Sequence, residues 1–384
     1  MTVAINLPQE QSAMETSTMQ KPLVTIVVVP RERFSYSRES LESIYSETDD
    51  YPFELVYVDG GSSPALKRYL QEEAKQKNFK LIRTEHYISP NKARNLGLKE
   101  VKTKYLVFID NDVLVKRGWL KSLVETAEET NATVVGTLTC IDEPVHEVVH
   151  NGGGETYFET RVENGKAGRF AVQNSYLEGR RVSKIASELK RVKCDFVELH
   201  CALVRTEFLE KHGGMDEGLL STREHIDMCL MATHNGGTVY CDRQSIVTYM
   251  TGAKLDWWDV TYFMLRWSDA WDLASFNHFR QKWGLEEDWY FEKRYNRLGR
   301  RRYRALLRPV ISRFPLKDQR NWFADLIKDV ERPLNNFISD IYARKHEYAR
   351  HSLGLRKPNK VYQKPEKSKP LVASSASGGG WPFW

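Results

Sequence analysis

Short apolar blocks and helical periodicities take turns along the first third of the chain. Leu23–Val29 is an unbroken β-branched run, and Phe53–Val58, Leu81–Thr84 and Tyr105–Ile109 repeat the short apolar block. Between them, Arg38–Tyr45, Ala65–Lys77 and Asn91–Val101 space their apolar residues at helical intervals. This alternation predicts βαβ units and an α/β, Rossmann-like fold with a mainly parallel sheet flanked by helices. A further amphipathic run opens at Gly118-Trp119-Leu120 and continues toward Thr130. From 141 to 181 the pattern breaks, with Gly152-Gly153-Gly154, Gly165, Gly168 and Gly179 set in polar sequence, which predicts hairpins and a loop. Order returns with a strand over Phe196–Val204 and a helix over Ser221–His234 that Gly236-Gly237 ends.

Beyond about Asp256 the pattern becomes helical and crowded with aromatics, from Trp257 to Trp283, and a second helical stretch is expected from Lys317 to about Arg350. The expected organisation is a polar leader over 1–20, a catalytic α/β domain over 21–254, a helical, aromatic- and arginine-rich extension over 255–354, and a disordered tail over 355–384.

Composition narrows the class. A hydrophobic fraction of 41% over 384 residues suffices for a sizeable core. Bilayer-spanning helices need about 20 consecutive apolar residues, and no such stretch occurs. Met1–Gln20 lacks the apolar core of a secretory signal, so a cytoplasmic location is expected. Cys140, Cys194, Cys201, Cys229 and Cys241 are scattered among apolar neighbours and read as buried free thiols.

The chemistry collects at strand ends, where α/β sheets bind ligands. Val29 leads into Pro30-Arg31-Glu32, Val58 into Asp59-Gly60-Gly61-Ser62, and Ile109 into Asp110-Asn111-Asp112, while Arg94 and Asn95 stand in the run Ala93-Arg94-Asn95-Leu96-Gly97. Carboxylates at such a crevice suit Mg²⁺ or Mn²⁺ holding a diphosphate, and arginines there meet phosphate or carbonyl oxygens.

In order and spacing these motifs resemble those of the family 2 glycosyltransferases of the GT-A fold, over roughly residues 22–253. Val58-Asp59-Gly60-Gly61-Ser62 is similar to the family's nucleotide motif, Ala93–Gly97 to its A-R-N-x-G motif, Asp110-Asn111-Asp112 to its D-x-D metal motif, and Gly213-Gly214-Met215-Asp216-Glu217 to its G-G-F-D-E turn. The resemblance implies an inverting transferase that moves a sugar from a nucleoside diphosphate sugar to an acceptor hydroxyl on a polysaccharide, lipid-linked sugar or other glycan. It implies Pro30, Arg31, Glu32, Asp59, Arg94, Asn95, Asp110 and Asn111 around the nucleotide, and Asp110 and Asp112 at the metal.

Two departures stand out. The family's E-D-x-D motif reads Glu224-His225-Ile226-Asp227 here, so the general base is open among Glu224, His225 and Asp227. Ser221 and Glu224 form an S-x-x-E pattern expected to cap the helix and put Glu224 and His225 in its first turn. Where many relatives carry a metal-binding His after the last strand, this chain has Tyr249, leaving Asp112, the diphosphate and water, or a recruited His200 or His234.

His146-Glu147-Val148-Val149-His150 spells the zinc-peptidase motif, which needs a helix to bring both imidazoles to one face. Pro144 before it and Gly152 after it leave little room for one. Between Glu292 and Arg313 nine Lys and Arg residues alternate with Leu, Val and Ile in a chain of net charge +6, which reads as a helix peripheral on an anionic membrane or as a solvated packed helix. No nucleic-acid reading module accompanies that charge, so nucleic acid is not an expected partner.

Overall fold

The computed structural model describes residues 22–49, 51–163, 166–252, 255–287, 301–311 and 322–345. The leader, the tail and much of the arginine-rich segment lie outside the described residues.

Four parallel strands build one half of the main sheet: β1 (Val24–Val29), β2 (Glu54–Asp59), β3 (Lys80–Arg83) and β4 (Tyr105–Asp110), in the order β4-β1-β2-β3. Their crossovers are α1 (Ser37–Ser46), α2 (Pro64–Lys77) and α3 (Pro90–Leu98). β1 and β4 are buried at every position, because helices cover both faces, and this is why they read as continuous apolar runs. Gly97 sits where α3 crosses β1, and a Cβ there would lie 2.2 Å from Val27 Cγ1. That close approach explains the glycine of the A-R-N-L-G run.

The second half is mixed. After β5 (Val113–Val115) and α4 (Trp119–Thr130) come β6 (Val134–Ile141), β7 (Val149–Asn151), the hairpin β8 (Gly154–Glu163) and β9 (Lys166–Ser175), then β10 (Arg191–Cys194) and β11 (Cys201–Arg205). α5 (Thr206–His212), α6 (Glu224–His234) and β12 (Val239–Tyr249) follow. The full order is β10-β12-β6-β11-β4-β1-β2-β3, with β11 antiparallel between β4 and β6 and β12 parallel to β6. The predicted hairpin region is present. The strand predicted over Phe196–Val204 is shorter: it starts at Cys201, and residues 195–200 form a turn. Glu198 and His200 interrupt the apolar run there, and a buried central strand has no place for them.

α7 (Asp259–Arg266) and α8 (Asp269–Trp283) pack directly on the sheet. Tyr262, Leu265, Trp271 and Phe279 belong to the same buried apolar cluster as Val27 and Phe108. Tyr262 also donates toward the carbonyls of Pro30 and Ile88, 3.3 and 3.1 Å away. A short helical stretch, Tyr303–Leu307 and Arg308–Ile311, and the longer α9 (Trp322–Lys345) complete the described elements. All five cysteines are buried and free. Among the described residues no helix is long and apolar enough to cross a membrane.

Candidate active site

The ends of β1 and β4 deliver Arg31, Asp110 and Asp112 to one buried crevice, and α3, the 195–200 turn, α6 and α7 close around it. Asp110 is saturated. Arg31 Nη1 and Arg94 Nη2 each reach it at 3.1 Å, and His200 Nδ1 lies 3.0 Å away. Those partners outweigh burial and lower its carboxyl below the usual range. Asp112, two residues on, is the opposite case. Among the described residues both of its oxygens are buried without a hydrogen-bond partner, and Arg33 Nε approaches to 3.6 Å. Arg33 is claimed first by Glu32, so burial dominates and raises the Asp112 carboxyl well above its ordinary value.

The cationic side of the crevice shows the same surplus. Among the described residues, Nε of Arg31 and Arg94, and Nε and Nη1 of Arg266, are buried donors without acceptors. Arg31 and Arg266 both stand 3.7 Å from Glu224 Oε1, while Glu224 Oε2 has no partner. Buried donors without acceptors are rare in folded proteins and mark a place suited to an anion. Three guanidinium groups with spare N–H groups beside a carboxylate with spare lone pairs form a receptacle for a diphosphate and its counter-cation.

The remaining predicted residues divide between crevice and scaffold. Asp59 accepts from Ser62 N and Oγ, at 2.8 and 2.9 Å, and from Arg83, which shapes the nucleotide-motif turn and leaves lone pairs to spare. Glu32 is buried, bonded to Arg33, to Trp267 Nε1 at 3.0 Å and to Arg301 at 3.3 Å. Asn111 holds the 31–37 loop, accepting from Arg31 N and donating to Arg33 O and Ser37 Oγ. Asn95 faces away from the crevice. It grips the Gly213–Glu217 turn by accepting from Met215 N and donating to Met215 O, both at 2.8 Å. Pro30 contributes its carbonyl to Tyr262 and its ring to the wall beside Gly60.

Glu224 and His225 do open α6, but the capping pattern is not formed. Arg223 occupies the cap position at φ +70°, and Ser221 is drawn away to Asp272 and Ser275 on α8. Burial would raise the Glu224 carboxyl, but Arg266, Arg31 and Arg94 hold it below the ordinary range. Burial lowers His225, keeping the imidazole neutral near pH 7, and its Nε2 lies 3.6 Å from Glu198 Oε1. Asp227 points to α8 instead, accepting from Lys282 Nζ and Trp283 Nε1 at 2.8 Å.

Tyr249 is stacked on His200 with ring centroids 3.9 Å apart, its buried hydroxyl unpartnered. His234 bonds Leu230 O within α6 and packs on Trp283. Among the described residues no group of three or more His, Cys, Asp or Glu side chains is arranged to hold a metal. Of the two carboxylates at the end of β4, Asp112 is the one with both oxygens free of hydrogen bonds, so the residues fit a cation completed by diphosphate and water and not an all-protein cage.

The zinc-peptidase alternative lacks its helix. His146 has φ +62° in a turn and bonds Thr248 Oγ1 at 2.8 Å, while His150 lies on β7.

Arg266, Glu198 and Arg301 were not legible as site residues. Each arrives from a remote element, and the only local signal was an acid in an apolar run for Glu198 and an arginine in an aromatic helix for Arg266.

The same stretch of chain is similar to known proteins. The sequence model of glycosyl transferase family 2 matches residues 25–213. The putative glycosyltransferase EpsH of Bacillus subtilis (strain 168) is 26% identical over 191 residues, 46% of this chain and 55% of that protein. Chondroitin synthase of Pasteurella multocida is 28% identical over 105 residues, 27% of this chain and 11% of the synthase. The chain thus spans about half, or much less, of the length of these curated relatives. Among solved structures, GalNAc-T7 with UDP, GalNAc and Mn²⁺ has a TM-score of 0.47 at 17% identity, covering 77% of this chain and 58% of that one. S. aureus TarS in complex with UDP-GlcNAc has a TM-score of 0.42 at 16% identity, covering 84% and 92%. The match across the strand ends that build the crevice carries the assignment: residues 25–213 form a family 2 glycosyltransferase domain.

Proposed function

We propose that the protein transfers a sugar, with inversion, from a nucleoside diphosphate sugar to an acceptor hydroxyl of a glycan or lipid-linked sugar. The observation that carries this reading is the coincidence of buried donors without acceptors on Arg31, Arg94 and Arg266 with the unpartnered oxygens of Asp112, where Arg31, Arg94 and Asp112 lie within the family 2 match and Arg266 reaches them from beyond it. The nucleoside lies along the Asp59 turn and the diphosphate spans the three arginines. Asp112 would hold Mn²⁺ or Mg²⁺, which when bound would offset charge on the departing diphosphate. Inversion requires a base on the face opposite the leaving group. Asp227 is spent on Lys282 and Trp283, and Glu224 is held ionised and weakly basic by its arginines. His225, neutral at the start of α6, takes the acceptor proton. Screening nucleoside diphosphate sugars by isothermal titration, with and without Mn²⁺, tests the reading: one donor binds, Mn²⁺ tightens it, and Asp112→Ala removes the Mn²⁺ effect. A full screen without binding at either metal condition ends it.

We further propose that the enzyme works while peripheral on an anionic membrane, and α9 supports this. Among its described side chains, those turned toward the protein include Asn335 on Met264 O, Glu331 on Arg302, Arg332 on Asp269 and Tyr342 on Tyr87. Its outward face exposes Leu326, Val330, Leu334, Phe337, Ile338 and Ile341. At 100° per residue these fill an arc of roughly 120°, broader than a two-stranded coiled-coil seam and suited to a lipid surface. Arg304 and Arg308 in the neighbouring stretch are exposed and supply positive charge.

A further inference from the structure

The family motif puts a carboxylate where this chain has His225, and the structure places another carboxylate next to that ring. Glu198 is in the turn before β11, an element with no sequence link to α6, yet its Oε1 lies 3.6 Å from His225 Nε2. Glu198 and His225 keep 16% and 14% of their side-chain surface open, so the pair borders the crevice instead of being sealed in the core. The ring of Phe196, 6.0 Å away, backs the imidazole. Among the described residues Nε2 makes no hydrogen bond, and the Glu198 carboxylate is the charge that stands beside it.

Resting on the transferase reading above, we infer that Glu198 is a positioning residue for His225: it draws the Nε2 side of the ring toward itself by charge and balances the positive charge the imidazole gains as a base. In the step itself the acceptor O–H bond breaks and its proton passes to Nδ1 of His225. The oxygen's electron pair forms the new bond to the anomeric carbon, and the sugar–diphosphate bond breaks with its pair leaving on the diphosphate. The imidazolium so formed faces Glu198 across the ring. A fixed anion there stabilises the charged ring without taking the proton, provided it stays ionised throughout.

The surroundings meet that condition. Burial would raise the Glu198 carboxyl, but His225, His200, His150 and Arg31 together hold it down at about 2. Around His225, burial, Arg223 and Arg31 favour the neutral ring, while Glu198 and Glu224 favour the charged one. The two tendencies keep the ring neutral before the reaction and provide for its charge during it.

The test is an NMR titration of histidine-labelled full-length protein, following the imidazole signal that His225→Gln removes. In Glu198→Gln, which keeps the shape but loses the charge, the midpoint of that signal falls by about one pH unit or more. Glu198→Asp, which keeps the charge and withdraws it by one methylene, shifts it by a smaller step and covers the case in which the Gln variant does not fold. Equal midpoints in wild type and in the variants that fold overturn the inference. Turnover of the donor selected by the screen separates the two levels of the argument. If His225→Gln loses turnover while the Glu198 variants leave the midpoint unmoved, the base stands and the role of Glu198 falls. If His225→Gln turns over normally, the base assignment fails and takes this inference with it, leaving the family 2 domain untouched.

Discussion

Two carboxylates separated by one residue behave as opposites in this crevice, and substitution should expose it. Asp110 neutralises Arg31 and Arg94, so Asp110→Asn leaves buried cations uncompensated, a loss of about 3–5 kcal/mol when a buried pair is broken. Asp112 is a buried carboxyl with no hydrogen bond, so Asp112→Asn removes the desolvation cost of an ionisable group and should hold or raise the melting temperature. Calorimetry on the two variants therefore gives opposite shifts, while both lose sugar transfer; a parallel fall in melting temperature would mean Asp112 is structural. His146 gives a pH test. Burial, with Lys116, lowers its folded value to about 4, whereas an unfolded imidazole titrates near 6.5. The unfolded chain binds the extra proton, so stability is complete above about pH 6.5 and declines as pH falls toward 4. Solvent screening of this partly exposed ring leaves a contribution of about 1 kcal/mol. Urea melts of His146→Gln across that window should be flatter than wild type by this amount.

At the scale of elements, α8 works as a latch. Lys282 bridges Asp216 of the glycine turn and Asp227 of α6, each at 2.8 Å, and His278 adds a second contact to Asp216 at 2.9 Å. Lys282→Met leaves Asp227 buried beside Trp283 alone, and because the lysine is partly exposed the expected loss is about 1–3 kcal/mol. Asp227→Asn should likewise lower the melting temperature while turnover stays within about tenfold, against the 10²–10⁴-fold loss typical of a missing base and expected for His225→Gln. Loss of turnover on that larger scale in Asp227→Asn would return Asp227 to the chemistry. The strands of the first half were legible because burial on both faces leaves an uninterrupted apolar run. β6 was not, because Gly136, Thr137 and Thr139 dilute its pattern. The carboxylates at the ends of β1, β2 and β4 could be found because a strand end is a local feature. Asn95 and Asn111 were placed at the nucleotide by position in their motifs, yet their amides bond neighbouring loops, on backbone and on the side chains of Glu217 and Ser37: a motif gives a residue's address, not the direction of its side chain. Ser221 shows the same limit, since Asp272, 51 residues away, outcompetes the local cap.

For the whole molecule, the outward face of α9 and the exposed arginines predict salt-sensitive attachment to anionic vesicles, each basic group contributing on the order of 1 kcal/mol near the surface. Phe337→Asp with Ile338→Asp changes only exposed positions, so it should release the protein in a sedimentation assay without altering donor affinity. Vesicle binding by the double variant equal to wild type would remove α9 from the interface, and a doubled solution mass that the variant abolishes would identify a second copy as its partner instead. The contacts of Glu32 have a different reach. A buried carboxylate beside the first strand is neutralised from Trp267 and Arg301, beyond the end of the family match at residue 213, and Arg266 faces Glu224 from the same side. The two stretches are therefore not interchangeable parts. A hybrid that takes 25–213 from a relative and keeps these helices would bury mismatched charges at the join, so any successful transplant has to move sheet and helices together.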